Sequence, residues 1–120
     1  MPNQVFIGDD GLIHHIYDGD QNYEIMNNDM KVIGELIKEL KDKNKPVRIL
    51  GDYTKIKKAD SGARKAANDA LTALGYEKIA LFGTSVFHKF AANFIISVTG
   101  KASTVKVFDT AEEAKQWLKR

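Results

Sequence analysis

Cysteine is absent from the 120 residues, which removes disulfides, thiolate zinc sites and thiol nucleophiles at once. No apolar run approaches the roughly eighteen residues of a spanning helix. Met1-Pro2-Asn3-Gln4 lacks the basic and apolar regions of a signal peptide. Neither sign of charge dominates, since 18 basic and 16 acidic residues leave +2. That balance is poor material for a dedicated nucleic-acid binder, whose affinity rests on many phosphate contacts. No Walker loop, dinucleotide fingerprint or zinc spacing occurs. These absences predict a cytoplasmic protein with no nucleic-acid partner, no metal and no cofactor.

Hydrophobic residues at 43% and charged ones at 28% are instead what a folded globular chain needs, and the length suits one domain spanning residues 1–120. Charge is unevenly placed. Asp9, Asp10, Asp18, Asp20 and Glu24 gather near the start, whereas Lys55, Lys57, Lys58, Arg64 and Lys65 cluster in the middle. Patches of that kind can hold partners even when the total is near zero.

Val5–Gly8 and Leu12–Asp18 read as strands joined at Asp9-Asp10-Gly11, a hairpin signal, with Asp18-Gly19-Asp20 ending the second. Tyr23, Met26, Met30, Ile33, Ile37 and Leu40 recur at helical spacing, with Asn22 as N-cap and Pro46 beyond the stop. Val47–Asp52 reads as a buried strand followed by a basic loop. Asp60-Ser61 then caps a helix that runs to Leu74 and ends at Gly75, with Ala63, Ala66, Ala67 and Ala70 as its inner face. Lys78–Phe82 is the next strand, and Val86–Thr99 the next helix. Thr104–Phe108 is the last strand, and Thr110 with Glu113 forms a capping box for a final helix burying Ala114, Trp117 and Leu118. The order β-β-α-β-α-β-α-β-α predicts an α/β fold with a five-stranded, mixed and mostly parallel sheet and one antiparallel N-terminal edge strand.

The strand ending Gly51-Asp52, the helix start Asp60-Ser61-Gly62 and the tail from Val105 to Leu118, with its Phe108-Asp109-Thr110 and Trp117-Leu118, together resemble the SpoIIAA-like proteins, the STAS and CRAL-TRIO group. The resemblance implies a right-handed β/α superhelix. It also implies a regulatory or binding module rather than an enzyme. In STAS-type sigma-factor antagonists a phosphorylated serine precedes a glycine at this helix start, the position Ser61 holds here. CRAL-TRIO relatives imply the alternative of a small apolar or lipid ligand.

Ser61 is therefore the phosphorylation candidate. A phosphate there would meet free N–H groups at a helix N-terminus with Arg64 one turn on, while a plain N-cap role for Asp60 or Ser61 explains the same residues. Asp52, Tyr53, Thr84, Ser85 and His88 fall where open α/β sheets bind ligands, at the carboxyl ends of the strands. Nothing in their spacing selects catalysis, since Thr84 and Ser85 are equally good helix caps. Phe87, Phe90 and Phe94 belong to an apolar arc on the Val86–Thr99 helix wider than one sheet face needs. That surplus predicts a protein partner, foremost a second copy in a homodimer, or else an apolar ligand or membrane surface. Asp18, Asp20 and Asn22 begin like a calcium loop, but Tyr23 stands where glycine is required. His14 and His15 point to opposite faces of a strand and cannot share a metal.

Overall fold

The hairpin turn forms as its Asp-Gly chemistry predicts: Gly11 N–H donates to the Gly8 carbonyl and Gly8 N–H to that of Leu12. It joins β1 (Gln4–Ile7) to β2 (Ile13–Gln21) in antiparallel register. The computed structural model describes residues 2–83, 92, 93, 96, 97 and 99–120. Within them follow α1 (Tyr23–Asp42), β3 (Arg48–Ala59), α2 (Ser61–Ala73), β4 (Lys78–Phe82), β5 (Val105–Phe108) and α3 (Ala111–Lys119). Most of the expected helix from Val86 to Thr99 lies outside the described residues. The five strands pair in the order of the chain, β1-β2-β3-β4-β5, with every pair after the first parallel. This is the expected mixed sheet with an antiparallel first edge.

Parallel neighbours taken in sequence, with crossovers of one hand, put their connecting helices on one side of the sheet. α1 and α2 accordingly share a face with Ile96. There Ile33, Ile37 and Leu40 meet Ile13, Ile49 and Ile79 in the main core. α3 covers the other face, packing Ala114, Trp117 and Leu118 on Leu12, Leu50 and Phe82. Alternation along each strand decides which residue joins which core.

Helix ends follow the caps read from the sequence. Asn22 Oδ1 accepts the Ile25 N–H at 2.9 Å. Thr110 Oγ1 accepts the Glu113 N–H at 3.2 Å and donates to its carboxylate at 3.0 Å. α1 closes with Asn44 at φ 56° and the Lys45 N–H on the Leu40 carbonyl at 2.9 Å, a left-handed C-terminal cap. α2 stops one residue early, at Ala73, where Leu74 turns extended. Gly75 is not left-handed and does not cap it. Tyr23, expected on the buried stripe of α1, is 48% exposed because it occupies the first helical position, ahead of the sheet.

The largest correction concerns the central loop. Tyr53–Ala59 is not a loop but the second half of β3, paired with β2 from Asp18↔Lys55 to Gln21↔Ala59. β2 likewise continues past Asp18-Gly19-Asp20. Register shifts between Ile16 and Asp18 and between Gly19 and Gln21 absorb the mismatch, with Gly19 at φ 79°. A bulge with a left-handed glycine bends a strand without ending it.

Candidate functional site at the joined ends of β2 and β3

The β2–β3 ribbon ends where α1 and α2 begin. Asp60 N–H donates to the Gln21 carbonyl at 3.3 Å, tying the two strand ends together. A Cβ built on Gly62 would stand 3.0 Å from the Cβ of Tyr23, so a larger residue there would push the two helix starts apart by a few tenths of an ångström. Asp60 is the cap of α2, its Oδ1 accepting the Ala63 N–H at 2.9 Å. Ser61 is the first helical residue and is exposed. Its hydroxyl takes no part in the cap. Asp20, Asn22, Lys57, Lys58, Asp60 and Arg64 line a groove beside it. Arg64 Nη1 donates to the Ala59 carbonyl at 2.8 Å, which holds the guanidinium against the strand end. Lys65 turns along its helix instead, to Asp69 at 3.1 Å.

The extension of β3 splits the residues that the sequence grouped together. Asp60, Ser61 and Arg64 share one place, but Asp52 and Tyr53 lie in mid-strand, about 25 Å back at ~3.3 Å per residue. They also face opposite ways. Asp52 Oδ1 accepts from the N–H and hydroxyl of Thr54, at 2.9 and 2.7 Å. Tyr53 turns toward α2 and meets the ring of Tyr17 edge-on at 4.5 Å between centroids. Thr84, Ser85, Phe87, His88, Phe90 and Phe94 lie outside the described residues.

A polar cluster that the sequence reading passed over sits beneath α1. His15 is 2% exposed, and its Nε2 lies 2.7 Å from Asp29 Oδ2. Asn3 Nδ2 donates to the same carboxylate oxygen and to Gln21 Oε1, both at 2.7 Å. Asn3 Oδ1 accepts the Asp18 N–H at 2.9 Å. His15 also lies against the ring of Tyr17, with centroids 4.0 Å apart. Burial holds the Tyr17 phenol well above its ordinary pKa, with Tyr53 and Asp29 adding to the shift, and burial raises Tyr53 as well. The clue was positional. His15 alternates with Ile13 and Tyr17, and Asp29 falls three residues after Met26 and four before Ile33, so both face inward. His14, on the opposite face, has Nε2 3.0 Å from each Asp10 oxygen.

His15, Tyr17, Gly51 and Tyr53 on the sheet, with Ala67 and Ala70 of α2 above them, line a cavity of about 80 Å³. Among the described residues no group of His, Asp or Glu side chains is placed to hold a metal, and no helix is long and apolar enough to cross a membrane.

No curated protein matches the sequence. Several solved structures share the fold, two of them as follows. One is an uncharacterized protein of the DUF3478 family with a SpoIIAA-like fold from Shewanella loihica PV-4, with a TM-score of 0.70 and 18% identity over 98% of this chain and 94% of that one. The other is the anti-sigma factor antagonist SpoIIAA in its unphosphorylated form, with a TM-score of 0.60 and 13% identity over 95% and 94%. The architecture is thus SpoIIAA-like. Residues 6–120 match a family described as "Domain of unknown function (DUF7793)", and the chain belongs to that family.

Proposed function

We propose that this chain is a cytoplasmic binding module that acts by protein–protein contact, not by catalysis. Its contact surface is the place where β2 and β3 end and α1 and α2 begin. One observation carries the reading: Asp60 caps α2, which leaves the Ser61 hydroxyl exposed at the first helical position. A phosphoryl group there would lie at the positive end of the helix dipole beside Arg64 and would change the charge of the groove. A protein of this fold, SpoIIAA, is described as an anti-sigma factor antagonist with an unphosphorylated form.

Affinity capture with the intact chain tests the reading. A partner held by wild type and by Lys38→Glu, a substitution on exposed α1, is expected to be lost with Ser61→Asp or Arg64→Glu. Capture of the same proteins by all four chains would end it. A second copy of this chain, meeting it through the segment from Val86 to Thr99, is a further partner that the apolar surplus in that sequence supports. A light-scattering mass of one chain at high concentration would remove that version. The lipid reading has less support, because the cavity under α2 is about 80 Å³ against the roughly 300–1,000 Å³ of pockets for drug-sized ligands.

A further inference from the structure

The core beneath α2 is left partly unfilled where the helix presents small side chains. Ala67 and Ala70 face the sheet where longer side chains would reach it, leaving about 80 Å³, while Leu81 already occupies the place of a side chain on Gly51. The wall is not uniform. Three aromatic residues bring polar groups to one side of it: His15, Tyr17 and Tyr53. Asp29 faces Nε2 of His15. A carboxylate only accepts, so Nε2 donates to it. The remaining wall is hydrocarbon, including Met30, Ile33 and Leu71.

Size and polarity select the occupant. An apolar cavity of about 150 Å³ takes benzene, so roughly half that volume takes about three to five heavy atoms. Ordered water needs two to four polar partners each; His15, Tyr17 and Tyr53 could hold one on their side, but the far side offers none among the described residues, so water alone would leave that side empty. Among the described residues no Asp, Glu, Lys or Arg side chain lines the space, so a carboxylate would enter without a Lys or Arg to balance it, at heavy cost.

We infer that the cavity under α2 binds a small neutral molecule with one hydroxyl group, a short-chain alcohol. Its hydrocarbon end lies among Met30, Ile33 and Leu71 and its hydroxyl on the His15–Tyr17–Tyr53 side. This site is separate from the groove at Ser61 and stands whether or not that groove binds a protein.

The test is a titration of the full chain with 1-butanol followed by amide NMR, beside butyrate as a charged molecule of similar size and xenon as an apolar one. Saturable shifts confined to amides around His15, Tyr17, Gly51, Tyr53, Ala67 and Ala70 are expected for butanol and none for butyrate. Ala70→Leu, shown to be folded by its melting transition, should abolish butanol and xenon binding, and Ala67→Val serves the same purpose if that variant fails to fold. Tyr53→Phe should weaken butanol roughly fivefold, the worth of one neutral hydrogen bond, and leave xenon unchanged. Shifts that do not saturate, equal shifts with butyrate, or butanol binding that survives filling of the cavity would each overturn the inference.

Discussion

At Asp60 the carboxylate accepts the Ala63 N–H, and one residue later the hydroxyl of Ser61 is exposed and takes no part in the cap. Alanine at each position separates capping from signalling. Asp60→Ala is expected to lower stability by about 1 kcal/mol, the usual worth of an N-cap. Ser61→Ala should stay within about 0.5 kcal/mol of wild type, as at an ordinary surface position. Urea unfolding of the two variants decides the matter, and equal losses would give Ser61 back a capping role. The buried tyrosines make a second prediction at this scale. Burial, with help from Tyr53 and Asp29, raises the pKa of Tyr17, so the folded chain keeps a proton that the unfolded chain releases near pH ~10. Stability from this source is complete below pH ~10 and declines as pH rises beyond it. Absorbance at 295 nm should therefore show the Tyr17 and Tyr53 phenolates appearing together with alkaline unfolding, and Tyr17→Phe should roughly halve the amplitude of that step.

Among the elements, those announced by local chemistry were legible in the sequence. Asp9-Asp10-Gly11 gave the hairpin, and Asn22, Asp60 and Thr110 gave the helix starts, because each signal acts within four residues of itself. The second half of β3 was not legible. Lys55, Lys57 and Lys58 look like a solvated loop, and the inward residues Tyr53, Ile56 and Ala59 are spaced three apart because of bulges in the pairing. That segment is extended because β2 lies beside it, a cause that no local pattern records. The same holds for the candidate site. Asp60, Ser61 and Arg64 are close in sequence and came together, whereas His15 and Asp29 meet across fourteen residues and two elements. α2 carries a prediction of its own. An unfilled volume of about 80 Å³ at ~24 cal/mol per Å³ corresponds to about 2 kcal/mol. Ala70→Leu should recover part of this and raise stability by about 1 kcal/mol in a denaturant titration. A loss instead would mean that the added side chain is forced off its preferred rotamer.

For the whole molecule, the strand order has an effect that composition could not foretell. Doubly wound sheets reverse their order and open a crevice at the reversal. This sheet runs β1 to β5 without reversal, so the space between elements falls beneath the helices and the exposed groove forms where a two-stranded ribbon ends. Strand β3 pairs with β4 only from Arg48 to Asp52, and beyond that point only β2 is its strand partner among the described residues. Native-state hydrogen exchange should therefore be slowest at Ile49–Gly51 and at least tenfold faster from Lys55 to Lys58, in keeping with the uneven local stability of folded chains. Uniform protection along β3 would contradict this. The contacts of Asn3 also bear on how the protein is handled. That amide links β2 to Asp29, so a purification tag joined ahead of Pro2 would sit next to the linkage and could disturb it. At the other end the Arg120 carbonyl, already held by Lys78 at 2.8 Å, would survive in a fusion, and it is there that a tag or a fluorophore is better attached.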